Sequence, residues 1–214
     1  MESEQDLLAS LYGGVGKAEG WSQFVDALAR FYPGGRAIIA MHDVTRQNSL
    51  ARAGGQWDPD HFKAYNQHFV TVNPWIPNLP RRQVGKASPA EFLLPRAELV
   101  KTEFYNDFLR RAQLDSGIGV TVERNSSRHI IVSVVFPQVT AENDPDALGR
   151  LQRLVPHLQR VAQLNRQLEV MERRAIAADA ALDRLATAML IVGSRRRFSI
   201  STRRPSVSSP LEMA

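Results

Sequence analysis

The stretch GIGVTVERNSSRHIIVSVVF, from Gly117 to Phe136, contains the clearest strand evidence in the chain. Two runs rich in β-branched residues, 117–123 and 128–136, flank the four polar residues 124–127. β-Branched side chains favour extended backbone, and a short polar segment between two such runs favours a turn. The stretch therefore predicts an antiparallel hairpin.

A second and weaker hairpin is predicted upstream, where an apolar run at 37–41 and a strand near 49–53 flank a polar turn. Helical spacing of apolar residues and the start signal Asp58-Pro59 predict the helices. These helices cover Glu4 to Leu11, Trp21 to Phe31, Pro59 to just before Asn73-Pro74, and Pro95 to Ala112, and a short strand is expected near Gln83 to Ala87.

This order of elements has no strand–helix repetition of the kind that builds a Rossmann sheet. It predicts an α+β fold, in which a PAS- or GAF-like antiparallel sheet has its helices gathered mainly on one side. A long C-terminal signalling helix with coiled-coil character follows that sheet. The predicted organisation is a sensory domain over 1–140, a connector helix over 141–192 and a disordered Arg/Ser-rich tail over 193–214.

The connector, predicted as helix from Asp144 to Val192, carries apolar residues spaced alternately three and four apart, as in a coiled coil. A kink or junction is expected at Pro156, which would separate a part packed on the domain from a projecting seam. The seam predicts a homodimer through this helix, and packing against the protein's own domain is the alternative. The seam positions are Val161, Leu164, Leu168, Met171, Ala175, Ala178, Leu182, Leu185 and Met189.

The positive charge of the chain is concentrated in the tail. The net charge is +5, and residues 193–214 carry five arginines against the single acid Glu212. A DNA-binding domain normally carries its basic excess on a folded face. Because residues 1–192 are nearly neutral, no specific DNA binding by this chain is expected.

Composition excludes several other classes of protein. The chain has no cysteine, so disulfides, thiolate metal sites and a cysteine nucleophile are excluded. No apolar run approaches the ~20 residues that a membrane span needs, and the acidic N-terminus is unlike a secretory signal. The sequence therefore predicts a cytoplasmic protein with no membrane contact and no cofactor.

Aromatic side chains that flank the predicted sheet suggest a pocket for a small organic ligand, because aromatic walls with a few polar groups suit such ligands. A filled core is the alternative, since the same residues would pack equally well in one. The candidate ligand-binding residues are Trp57, Tyr65, Phe69, Asn73, Trp75, Phe104, Tyr105 and Phe108.

Histidines provide the remaining chemical candidates. His61, Tyr65 and His68 share one helix face, but no further ligand has suitable spacing, so no metal site is predicted. A small hydrolase-like enzyme using His42, His61 or His129 is the alternative function. No Gly-x-Ser-x-Gly elbow is present, and the protein is predicted not to be an enzyme.

Several segments resemble the N-terminal sensory region of LuxR-type helix-turn-helix transcriptional regulators, and the resemblance covers roughly residues 5–192. They occur in the order found in that family: Trp21-Ser-Gln-Phe-Val-Asp-Ala-Leu28, Tyr65 through Asn73-Pro-Trp75, Val84-Gly85, Thr102-Glu-Phe-Tyr-Asn-Asp-Phe-Leu109 and Leu154-Val-Pro-His-Leu158. The stretch Ala181 to Val192 resembles the entry to a second, PAS-like unit. The resemblance implies a sensory and dimerisation module of a transcriptional regulator.

The chain departs from the family pattern at two places. After Val192 the expected helix-turn-helix gives way to the Arg/Ser-rich tail, which suggests a truncated or frameshifted regulator. Autoinducer-binding members carry an acid just before the proline of an Asp-Pro step. Asn73 stands at the position that resembles this acid, which argues against an acyl-homoserine-lactone ligand.

Overall fold

The computed structural model describes residues 3–43, 48–54, 57–126, 128–137, 144, 146–183, 190–192 and 198–200. The chain divides into two compact units, Met1–Asn165 and Arg166–Ala214. None of the helices in these described ranges is long and apolar enough to cross a membrane.

Two helices begin the first unit, as the sequence predicts. Helix α1 (Glu4–Gly13) starts at a capping box, in which the Ser3 hydroxyl accepts the Asp6 amide and the Asp6 carboxylate accepts the Ser3 amide. Helix α2 (Gly20–Phe31) buries Phe24 and Leu28 at helical spacing. The helices are tightly joined because Gly14 and Gly20 meet backbone to backbone, leaving no room for a side chain at either position.

The sheet has five antiparallel strands in the order β2-β1-β5-β4-β3. Both predicted hairpins are confirmed, since β1 pairs with β2 and β4 pairs with β5. The strand predicted near Gln83 to Ala87 is wrong in position, because the edge strand beside β4 is Ser88–Pro89; within the predicted range Val84 forms an isolated bridge to Thr121 of β4. The strands are β1 (Arg36–Asp43), β2 (Asn48–Ala53), β3 (Ser88–Pro89), β4 (Ser116–Arg124) and β5 (Arg128–Phe136).

A segment of short helical pieces connects β2 to β4. Asp58 caps its first helix as predicted, since the Asp58 carboxylate accepts the amides of Asp60 and His61. The pieces are α3 (Pro59–Ala64), a π-helix (Tyr65–Phe69), α4 (Val70–Val72), 3-10 helices at Ile76–Arg81 and Ala90–Phe92, α5 (Arg96–Leu99), a second π-helix (Phe104–Leu109) and a 3-10 turn (Arg110–Ala112).

The single helix predicted over Pro95 to Ala112 is therefore wrong. It is broken after Leu99, where the Thr102 hydroxyl donates to the Leu99 carbonyl and accepts the Tyr105 amide. A threonine side chain that bonds to nearby backbone competes with the regular helical hydrogen bonds. Residues on both sides of the break, Leu99 and Phe104 among them, still belong to the same core cluster.

Alternation along the strands builds one core on each face of the sheet. Ala37 and Ile39 of β1 pack with α1, α2 and the C-terminal helix, whereas Ile38 packs with the segment that connects β2 to β4. In β5, Val132 and Val134 belong to the first core and Val135 to the second. The α+β prediction is confirmed, but helices cover both faces and not mainly one.

The long C-terminal helix, α6 (Ala147–Asp183), is shorter at both ends than predicted. It continues through the exposed Pro156, so no restart occurs there. Leu154 and Leu158 on either side are fully buried, and packing on the domain extends to Val161 and Ala162. The predicted junction at Pro156 is therefore wrong, and the first seam position belongs to the core.

The second unit contains the rest of α6, in which Leu168 and Met171 are exposed. It also contains a strand pair, β6 (Leu190–Val192) with β7 (Phe198–Ile200), that the sequence analysis did not predict. The seam positions Leu185 and Met189 lie outside the described residues, as do 193–197 and 201–214 of the tail predicted to be disordered.

The crossing of α1 and α2 can be tested with two glycine variants. Gly20→Ala should lower the free energy of unfolding by about 1–3 kcal/mol, because the new Cβ would lie 2.0 Å from the Gly14 carbonyl oxygen. Gly13→Ala is the control, since a Cβ there meets nothing within 4 Å and alanine favours a helix. Urea unfolding measures both variants, and equal effects would contradict this packing.

Candidate ligand cavity

A cavity of about 320 Å³ lies between the sheet and the segment that connects β2 to β4. It is formed entirely by residues of the first unit. Its volume is at the lower end of the range typical of small-molecule sites, roughly 300–1,000 Å³. The space is therefore suited to a small organic molecule.

Small residues of the sheet leave room for the cavity. Ile38 and Ala40 of β1, Gly117 of β4 and Ile131 and Ser133 of β5 line its floor. Strand alternation directs these side chains away from the α1–α2 core. Because alanine and glycine occupy positions where larger side chains would fill the space, the connecting segment does not close down on the sheet.

An aromatic cluster forms the opposite wall, and Phe108 lies at its centre. The Phe108 ring centroid lies 5.8 Å from that of Trp57, 5.3 Å from that of Tyr65 and 5.2 Å from that of Phe104. Trp57 is fixed from behind, because its Nε1 donates to the Ala37 carbonyl at 3.2 Å. The indole of Trp57 is therefore held against β1 by a hydrogen bond as well as by ring packing.

Six of the eight predicted ligand-binding residues line this cavity: Trp57, Tyr65, Asn73, Trp75, Phe104 and Phe108. The other two, Phe69 and Tyr105, are not among the lining residues but contact groups near them. Phe69 packs on Phe108 with ring centroids 5.1 Å apart. The Tyr105 hydroxyl donates to Asp115 Oδ1 at 2.8 Å, and Arg96 also binds that carboxylate at 2.6 Å.

Some polar groups of the wall already have hydrogen-bond partners within the protein, and others do not. Asn73 Oδ1 accepts the Trp75 amide at 3.0 Å, and Asn73 Nδ2 donates to the Tyr65 hydroxyl oxygen at 3.2 Å. Burial raises the pKa of Tyr65, so its O–H stays protonated and able to donate. Trp75 Nε1 is buried and has no acceptor among the residues that the structure describes.

Arg82 is a lining residue that the sequence analysis missed. It follows the proline-rich loop as one of two adjacent arginines, a pattern that usually marks an exposed surface. In the structure Arg82 is only 3% exposed, and its Nε donates to Ser88 Oγ at 2.9 Å. A single sequence offers no signal that separates this buried arginine from its exposed neighbour Arg81.

The histidines proposed for catalysis do not form a site with a recognisable nucleophile. His61 stacks on Phe108 with ring centroids 4.3 Å apart and on Trp57. His42 and His129 are register partners of the strands β1 and β5. His68 pairs with Glu103, and the described ranges contain no group of three or more His, Cys, Asp or Glu side chains suited to a metal ion.

No protein-family model matches the chain, and no curated protein matches it. Solved structures do match the chain, including the three that follow. The VqsR LBD domain from Pseudomonas aeruginosa is 12% identical, with a TM-score of 0.49, covering 73% of this chain and 96% of its own. The N-acylhomoserine-lactone-dependent LuxR-family transcription factor CepR2 from Burkholderia cenocepacia is 12% identical, with a TM-score of 0.47. The match covers 74% of this chain and 92% of the CepR2 chain. Escherichia coli SdiA is 13% identical, with a TM-score of 0.44, and the match covers 77% of this chain and 61% of the SdiA chain.

Among these neighbours, CepR2 is a LuxR-family transcription factor and the VqsR structure is of its LBD domain. The predicted resemblance to a LuxR-type sensory region agrees with them. With identities of 12–13% and TM-scores of 0.44 to 0.49, the function of this chain has to be inferred from its own residues.

The partly buried position of His61 predicts a pH dependence of stability. Burial, and then the charge of Arg36, lower the pKa of His61 below its ordinary value of 6.5. The unfolded chain therefore binds a proton that the folded chain resists, and the free energy of unfolding should fall as the pH drops below about 6.5. Urea unfolding at about pH 7.5 and pH 5.5 measures this loss.

The variant His61→Phe should reduce that loss, because it keeps an aromatic ring between Trp57 and Phe108 without a titrating group. His68→Gln is the control, since His68 lies on the surface and pairs with Glu103 there. An unchanged pH dependence in His61→Phe would show that other groups cause it.

Proposed function

We propose that this protein is a ligand-sensing and dimerisation module of a LuxR-type transcriptional regulator, with a PAS/GAF-like sensory domain and α6 as its connector. The observation that carries this proposal is the aromatic cavity between the sheet and the segment that connects β2 to β4. A filled core would leave no such space, whereas a preformed apolar space with a few polar groups is what a small-molecule site requires.

The polar groups of the cavity support ligand binding over incomplete packing. Buried donors are nearly always satisfied in native proteins, and an unsatisfied one costs about 1–3 kcal/mol. Trp75 Nε1 is such a donor, and Trp75 is one of the residues that line the cavity. A ligand with an acceptor atom that reaches this nitrogen would remove that cost.

Hydrogen bonds connect the loop beside the cavity to α6 and provide a route for a signal. Gln152 Oε1 accepts the Ala87 amide at 2.9 Å, and Gln152 Nε2 donates to the Gly85 carbonyl at 3.1 Å. Residues 85–87 lie between Arg82 and Ser88, both at or beside the cavity. A shift of this loop on ligand binding would therefore act directly on α6.

The exposed seam of α6 supports the proposed dimer. Met171 is 64% exposed, Leu168 is at 37%, and Ala175 and Ala178 are exposed as well. Such a stripe of apolar residues at heptad spacing is the pattern by which two helices pair in a coiled coil. Leu164 is partly buried and Val161 is fully buried in the domain core, so the proposed seam starts at Leu164 or Leu168.

Ligand binding to the cavity can be tested with neutral aromatic and aliphatic amides, such as indole-3-acetamide and decanamide. Titration calorimetry should detect binding of both amides; decanamide, which has no indole ring, should also change the fluorescence of Trp57 and Trp75, both of which line the cavity. Ala40→Phe should abolish binding, because the new ring would occupy the cavity floor. Ala97→Phe, at an exposed position on α5 away from the cavity, is the matched control. Binding that survives Ala40→Phe would place the ligand elsewhere.

The dimer can be tested by placing a charge in the seam. Met171→Glu should convert a dimer into a monomer at micromolar concentration, since it places a carboxylate from each protomer in an apolar interface. Ala177→Glu puts the same charge on another face of the helix and should leave the dimer intact. Analytical ultracentrifugation measures both, and a wild-type monomer, or a dimer unaffected by Met171→Glu, would refute the proposed seam.

A further inference from the structure

Arg82 carries a buried positive charge that no acidic side chain neutralises within the described part of the chain. Its only hydrogen bond there is from Nε to the neutral Ser88 hydroxyl. The acids that form ion pairs in those ranges pair with other bases; Asp115, for example, pairs with Arg96. A buried charge is normally paired, because removing it from water is costly.

The pKa of Arg82 is consistent with the lack of a nearby carboxylate. Burial alone lowers the pKa of Arg82 to about 10, and no neighbouring carboxylate raises it again. The guanidinium is still charged at neutral pH. It therefore remains a strong donor group with unused N–H bonds beside an apolar space.

The guanidinium has a second donor beside it. A Cβ built on Gly119 of β4 would lie 2.9 Å from Arg82 Nη1 and 2.8 Å from Ser133 Oγ, so both groups lie close to the same point over the bare glycine. Both Arg82 and Ser133 line the cavity, and no aspartate or glutamate does. The cavity thus offers a guanidinium and a hydroxyl to a ligand, and no acid is among the lining residues that the structure describes.

We propose that the ligand of this cavity is an organic monocarboxylate, whose carboxylate binds Arg82 and Ser133 and whose apolar body lies against the aromatic wall. This inference rests on the proposed ligand-sensing function. Arg82 is the only cationic side chain among the lining residues that the structure describes, so a single negative charge is matched and a phosphate dianion is not. A planar carboxylate also fits the paired N–H groups of a guanidinium.

The test compares each neutral amide with its own acid: indole-3-acetamide with indole-3-acetate, and decanamide with decanoate. The members of a pair have nearly the same shape and differ in charge. Titration calorimetry on the full chain at pH 7.5 should give at least about tenfold tighter binding of the acids, because a charge-assisted hydrogen bond in a buried site is about twice as strong as a neutral one.

Two substitutions assign that preference to Arg82. Arg82→Gln should remove the preference of the cavity for acids, because the affinity for each acid should fall at least about tenfold more than the affinity for its amide. Arg82→Lys keeps the charge and should retain part of the preference. If Arg82→Gln does not fold, the comparison of acid and amide in the wild type together with Arg82→Lys still decides the question.

The outcomes separate this inference from the proposed function. Equal affinity for acid and amide, or a preference that persists in Arg82→Gln, would overturn the carboxylate inference while leaving the ligand-sensing function intact. Preferential binding of inorganic phosphate or of a phosphate monoester would likewise overturn it. If neither acids nor amides bind, the proposed function fails and the inference fails with it.

Discussion

The two-sided packing of β5 is the constraint on which the rest of the structure depends. Successive side chains of a strand point to opposite faces, so the run Ile130 to Phe136 serves two environments at once. Val132 and Val134 hold the sheet to α1, α2 and α6 in a densely filled core. On the other face, Ser133 and Val135 border a cavity. A one-residue slip of β5 against β4 would exchange these roles and destroy both.

The sequence predicted the elements whose signals are local. The β4–β5 hairpin, the capped start of α3 and the helices α1 and α2 follow from β-branched runs, a capping aspartate and apolar spacing. Six of the eight aromatic or amide residues chosen as ligand contacts line one cavity, because large aromatic side chains on the segment that connects β2 to β4 can bury themselves only against the sheet.

The remaining features depend on tertiary contacts that no local pattern encodes. The sequence pattern around Arg82 is typical of a surface residue, whereas the fold places its guanidinium over Gly119. The break after Leu99 arises from a threonine hydroxyl that bonds to the backbone, although the apolar spacing there is helical. Pro156 suggested a junction, yet α6 passes through it, since its neighbours Val155 and Leu158 gain more from burial than one lost hydrogen bond costs.

The deep anchoring of α6 limits how a bound ligand can act at a distance. Leu151, Leu154 and Leu158 are fully buried in the core that the sheet shares with α1 and α2. Removing three leucines from such a core costs roughly 1.5–3 kcal/mol each, whereas coupling between two sites in a protein is typically only about 1–3 kcal/mol. The free energy of ligand coupling is therefore too small to detach α6 from the core. A response of the proposed module to a ligand would be a small sliding or rotation of the docked helix.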